Sequence, residues 1–185
     1  MKNYWQNAVT FDEYIKETER RIEVQNPEDD HNEYYELGLQ RMNRTLKTFK
    51  IDEEQLNVLK TKNVKGKILI ISEPWCGDAS ATVPAVSKFF EGHNEVRIFY
   101  RDSDTSLIDQ FLTNGTQSIP KILILNEDFS LKNVWGPRPQ YGTELLKKFK
   151  ENPETYPREE FYNDLQVYYA KNKGKDAIQE ILELL

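Results

Sequence analysis

Four apolar residues, Ile68-Leu69-Ile70-Ile71, stand between Gly66 and Pro74 and lead directly into Cys76, the only cysteine in the chain. Such a run is too short for a helix core and suits a strand buried on both faces. From Ala79 to Phe90, Val83, Val86 and Phe90 fall at helical spacing. The local reading is strand, tight turn, helix, with Cys76 at the helix's first turn. There the unpaired N–H groups and the positive end of the macrodipole favour an anion, and helix N-termini lower a thiol pKa from its usual ~8.5. Asp78 works against this, because its carboxylate competes for the same donors and repels a second negative charge. Cys76 is therefore expected to be activated only moderately. The other fate of a lone cysteine is a buried, inert thiol.

Upstream, Thr10-Phe11-Asp12-Glu13 forms a capping-box pattern, and Phe11, Tyr14, Ile15, Thr18 and Ile22 make one helical stripe that ends before Asn26-Pro27. His31, beside Asp29 and Asp30, has no second ligand pair and reads as part of a solvated turn. A second helix carries Tyr35, Leu39, Met42, Leu46 and Phe49. A third starts at Asp52 and turns Leu56 and Leu59 inward. Downstream, Gly92-His93-Asn94 turns the chain into a strand at Val96 to Arg101, which completes a right-handed βαβ unit. Cys76 then lies at the C-terminal edge of the sheet, where open α/β sheets place their sites.

Asp104 or Thr105 caps a further expected helix with Leu107, Ile108, Phe111 and Leu112 inward, stopped by Asn114-Gly115. A hairpin of Lys121 to Leu125 and Ser130 to Trp135 follows, then a helix with Leu145, Leu146 and Phe149. Pro157 opens a helix with Phe161, Leu165 and Tyr168 on one side. Lys173-Gly174-Lys175 breaks it before a terminal stripe of Ala177, Ile178, Ile181, Leu182 and Leu185. The two terminal helices can pack on the chain's own core or on another subunit, which periodicity does not separate; the own core is the expected place, because exposed apolar patches on monomers are small.

At 185 residues the chain is long enough for one sizeable core. A net charge of −6 gives no electrostatic reason to expect a nucleic acid or an anionic membrane as partner. Met1 to Gln25 holds no apolar core of secretory length, and no run approaches the ~20 residues of a membrane span. One cysteine excludes an internal disulfide and fits a reducing compartment, so the expected location is cytoplasmic. No metal-ligand spacing or phosphate-binding glycine loop is present, and neither metal nor cofactor is expected.

Several motifs together resemble the thioredoxin family. Trp75-Cys76-Gly77-Asp78-Ala79 is similar to its W-C-G-P-C active site, and Pro84 to the proline that kinks its active-site helix. Ser118-Ile119-Pro120 resembles the segment with the family's cis-proline, and Gly136 the glycine that opens the final helix. The resemblance covers about residues 52 to 150. It implies an α/β fold: a thioredoxin-like core with a mixed central sheet of about four strands flanked by helices, and helical extensions at residues 1–51 and 151–185. These are expected to form one compact domain overall. The strings Arg101-Asp102-Ser103-Asp104, Leu112-Thr113-Asn114-Gly115 and Trp135-Gly136-Pro137-Arg138-Pro139 resemble a bacterial thioredoxin-like subfamily.

Two departures bear on function. Ala79 stands where a dithiol thioredoxin has its resolving cysteine, and Ile70 where it has a buried aspartate. The losses agree, since no second thiol remains to need a base and an unpaired buried carboxylate is costly. What the resemblance then implies is a monothiol: Cys76 attacks a disulfide, and an outside thiol resolves the mixed disulfide. Ile119 before Pro120 offers main-chain hydrogen bonds to an extended substrate, and Trp75 an apolar wall. Gly77 and Asp78 lie beside the thiol. Arg138 either favours the thiolate from the same groove or pairs with a carboxylate. Partners on this reading are protein or peptide thiols and disulfides and an external low-molecular-weight thiol. The alternative is a redox-inactive module that holds a peptide or protein in the groove. An iron–sulfur carrier of the glutaredoxin type is not matched by Gly77-Asp78-Ala79. The roughly 35 residues after Asn152 are too few for the helical domain of a glutathione transferase.

Overall fold

A computed structural model describes residues 1–185. In chain order the elements are α1 (Lys2–Gln6), α2 (Phe11–Val24), α3 (Asn32–Thr48), α4 (Glu53–Lys62), β1 (Lys67–Ser72), α5 (Gly77–Phe90), β2 (Glu95–Tyr100), β3 (Lys121–Leu125), β4 (Leu131–Trp135), α6 (Gln140–Glu151), α7 (Arg158–Asn172) and α8 (Lys175–Leu184). The sheet order is β2-β1-β3-β4. β1 runs parallel to β2 and antiparallel to β3, and β3 pairs antiparallel with β4. The apolar run thus occupies an interior strand, and Leu69, Ile70 and Ile71 are fully buried. Each such side chain contributes about 1.5–3 kcal/mol of burial, which a polar residue in the run would forfeit. This mixed four-stranded sheet between helices is the α/β, thioredoxin-like fold that the motifs implied.

α5 crosses between β1 and β2 and is buried almost all round, with α3 and α8 packed against it. The N-terminal helices are built into the main core: Trp5, Tyr14 and Met42 belong to the same apolar cluster as β1. Thr10 and Glu13 close the capping box at the head of α2. The Tyr14 hydroxyl sits 2.9 Å from Ser72 Oγ at the end of β1. Val9 adds one antiparallel bridge to the free edge of β2 at Ile98. No helix is long and apolar enough to cross a membrane.

Three local expectations are corrected. The helix between β2 and β3 does not form; two single 3-10 turns, Arg101–Ser103 and Ile108–Gln110, replace it, and Leu112 is exposed. Asp104, Ser106, Asp109, Thr113 and Asn114 are weak helix formers whose side chains compete with the backbone. Asp104 Oδ1 accepts the Ser106 N–H at 2.9 Å, and Thr113 and Thr116 exchange backbone bonds about a turn at Asn114-Gly115. In α3 the buried positions are Tyr35, Gly38, Met42 and Thr45, while Leu39 and Leu46 are only partly covered. Gly38 turns inward because a Cβ there would fall 2.3 Å from the carbonyl oxygen of Pro74. In α7 the residue that completes the buried stripe is Tyr169, with Tyr168 at its margin.

Candidate functional site

The turn between β1 and α5 is fixed by residues from both flanking segments. Glu73, with 1% exposure, accepts from Arg21 Nη1 at 3.1 Å and from the Asp102 N–H at 2.8 Å. Burial raises its pKa, and the two donors oppose that rise. This carboxylate ties α2 and the turn after β2 to the segment before Cys76. Trp75 is held by its indole N–H, which donates to Asp102 Oδ2 at 3.2 Å. The His31 ring stacks on Trp75 at 4.3 Å between centroids, and the Arg101 guanidinium lies 4.8 Å from the ring. His31 therefore belongs to the wall of the site, through a stacking contact between residues 44 positions apart that spacing does not reveal.

Cys76 is the N-cap of α5, one position before the first turn, and its side chain caps no N–H group. Its Sγ–H donates to the Ile119 carbonyl at 3.4 Å. The peptide between Ile119 and Pro120 is cis, as is that between Gly136 and Pro137. Pro120 is buried next to the sulfur's acceptor, and Gly136, at φ +113°, lies so close that a Cβ would meet the Pro120 carbonyl oxygen at 2.3 Å. Only glycine accommodates both that conformation and that approach.

The moderate activation expected for Cys76 does not hold. The thiol is 8% exposed, and its pKa is pushed up to about 12, first by burial and second by the neighbouring Asp78 carboxylate. The Ala79 and Asp78 N–H groups and the Arg138 charge act in the opposite direction and are outweighed. Burial removes water from the thiolate, and a dipole worth about half a charge does not replace it.

Asp78 is itself buried. Its Oδ2 pairs with Arg138 Nη2 at 2.6 Å, and its Oδ1 accepts from the Tyr169 hydroxyl at 2.7 Å. Burial raises its pKa, and Arg138 and Tyr169 pull the other way. Arg138 fills both roles open to it: it pairs with Asp78, and from the same cleft its charge favours the Cys76 thiolate, though burial outweighs that effect. Tyr169 comes from the C-terminal α7 and was not legible as a site residue, because its contact is with a position 91 residues away.

Trp75, Cys76, Gly77, Asp78, Ile119 and Arg138 all line one cleft of about 1100 Å³, with Pro120 behind Ile119. α3 and α7 form its outer walls through Tyr34, Leu37, Arg41, Arg158, Tyr162 and Gln166. No three His, Cys, Asp or Glu side chains converge as a metal site. The arrangement can hold an extended or compact ligand over a protonated thiol, flanked by an aromatic wall and several guanidinium groups.

A protein-family model described as thioredoxin matches residues 24–150. Among solved structures, the crystal structure of an HIV epitope scaffold superposes with a TM-score of 0.68 at 15% identity, covering 99% of this chain and 95% of that one. The structure of a protein of unknown function from Pseudomonas aeruginosa gives a TM-score of 0.61 at 16% identity, covering 98% and 93%. At these identities the two structures speak for the shared fold alone. No curated protein matches the chain.

Proposed function

This chain belongs to the thioredoxin family, and from that premise we propose that it is a single-thiol disulfide-exchange protein of a bacterial subfamily marked by Trp75-Cys76-Gly77-Asp78-Ala79. The observation that carries this reading is the position of the one sulfur: on the wall of the cleft, at the head of α5, and bonded to the carbonyl before Pro120. In the proposed step the Cys76 thiol loses its proton to solvent, and the thiolate attacks one sulfur of a substrate disulfide. The Cys76–substrate S–S bond forms as the substrate's own S–S bond breaks, and the departing thiolate takes up a proton. A second, outside thiol, as thiolate, then attacks the substrate sulfur, forms a new disulfide with it and frees Cys76. Ala79 offers no internal thiol for that release. A chain with one cysteine suits a reducing compartment, and the reading assigns it to the cytoplasm.

The raised thiol pKa favours a second reading, a thioredoxin-fold module that holds its ligand without exchange. The two are separated by intact-mass measurement after incubation with bis(2-hydroxyethyl) disulfide, a neutral probe, at pH 7 and pH 9. Exchange gives one adduct per chain, faster at the higher pH, lost in Cys76→Ser and reversed by excess small thiol. A chain that stays unmodified at both pH values is a binding module.

A further inference from the structure

The chain carries an excess of negative charge, yet four arginines, Arg41, Arg101, Arg138 and Arg158, line the cleft against only two carboxylates, Asp78 and Glu159. Two of the four are already paired, Arg138 with Asp78 and Arg101 with Asp102. Arg41 and Arg158 have no carboxylate partner. Arg158 Nη2 donates only to the neutral Tyr162 hydroxyl at 3.3 Å, and Arg41 makes no hydrogen bond at all. Arg41 is nevertheless half-buried, and burial lowers its pKa. The charge of Asp78, already paired with Arg138, reaches it without a hydrogen bond, and its unused fork of donors matches an oxyanion.

The geometry narrows the place. A Cβ on Gly77, the first residue of α5, would fall 3.3 Å from Arg41 Nη1 and 3.5 Å from Gln166 Nε2. Two donors from different helices thus converge next to Cys76, at the positive end of a 14-residue helix. Arg138 Nε, a donor in the loop after β4, and Gln166 Oε1, an acceptor on α7, are buried with no hydrogen-bond partner, and of the two only the donor suits an anion. Buried polar atoms of this kind are normally satisfied. Arg158 stands at the head of α7, on the wall opposite Arg41 of α3, so two positive groups from different helices face one cleft.

We propose that the cleft binds a small molecule with at least two oxyanionic groups, carboxylate or phosphate, held by Arg41 with Gln166 at one end and by Arg158 at the other. Resting on the exchange reading above, that molecule is an anionic low-molecular-weight thiol or its disulfide, with its sulfur laid against Cys76. A protein substrate with a neutral segment would leave both free guanidiniums unmatched.

The test is isothermal titration calorimetry with thioether probes that cannot undergo exchange: S-methylglutathione for carboxylates and S-methyl coenzyme A for phosphates. At least one probe is expected to bind, and that one identifies the anion source. Added salt should weaken it. Arg41→Gln and Arg158→Gln should each weaken it about tenfold, the scale of one charge-assisted hydrogen bond. The diethyl ester of S-methylglutathione, with its carboxylates masked, should bind at least as much more weakly if that arm is positive. Arg158 is exposed, so its variant keeps the fold and the test does not depend on Arg41→Gln being stable. Binding of neither probe, or binding unchanged in Arg158→Gln, overturns the anion site. The unaltered chain distinguishes the two proposals: a positive titration with no adduct from the neutral disulfide defeats exchange and leaves the anion site standing. Adduct formation without probe binding does the reverse.

Discussion

Cys76 is governed by its two nearest surroundings, the low-dielectric pocket that encloses it and the carboxylate two residues on. Both hold the proton on sulfur. Asp78 is the part that a single substitution removes without changing shape. Asp78→Asn should lower the thiol pKa, by releasing Coulombic repulsion in a poorly screened site. The check is the pH profile of iodoacetamide alkylation. For the unaltered chain the rate should climb through pH 9 toward about 12, and for Asp78→Asn the climb should begin at lower pH. An unchanged profile would mean that burial alone sets the proton affinity. The identity of both residues was plain in the sequence, and so was the direction in which Asp78 acts. The sign of the net shift was not, because desolvation depends on what covers the sulfur, and Ile119 approaches from 43 residues away.

At the level of elements, α3 is the piece that turns the open sheet edge at Cys76 into a walled cleft. It contacts α5 and α2, and its closest approach to the site is Gly38 against the Pro74 carbonyl. Gly38→Ala tests that packing. Alanine favours a helix by about 1 kcal/mol over glycine, whereas its Cβ, 2.3 Å from a backbone oxygen, forces α3 or the turn to move. Overpacking of this kind costs about 1–3 kcal/mol, so a net loss of stability in denaturant unfolding is expected, together with faster alkylation of Cys76 as the cover lifts. A net gain would show that α3 rides loosely on the turn. Periodicity read α3 as a helix but chose Leu39 and Leu46 for its inner face, since apolar character is a guide to burial only where room for a side chain exists. At Gly38 the neighbour is backbone. The same limit explains the missing helix after β2, where local Asp, Ser and Thr bonds outcompete a short apolar stripe.

Taken whole, the molecule wraps the edge that carries Cys76 with both ends of the chain. α2 reaches it through the Arg21–Glu73 pair, α7 through Tyr169 and Asp78, and α8 buries Ile178, Ile181 and Leu182 in the main core. Its stability should respond to pH at both extremes. Glu17, bonded to Arg20 and Arg21, titrates near 2 instead of 4.5, so its contribution is present above 4.5 and is lost as pH falls toward 2. That contribution is modest, because Arg20 is open to solvent. At the alkaline end the folded chain binds the Cys76 proton more tightly than the unfolded chain does, so stability falls as pH rises from about 9 to about 12. Chemical denaturation across this range should show a shallower alkaline loss for Cys76→Ala than for the unaltered chain. The four strands, the larger helices and the place of the lone thiol at a helix head were determined by the sequence itself, because hydrophobic period, caps and turn residues act over a few positions. Whether that thiol is bare or covered, and that Arg41, Arg138, Arg158 and Gln166 line one cleft with it, was decided only by the tertiary structure. Desolvation and charge convergence arise from segments far apart in the chain, which packing alone brings within a few ångströms.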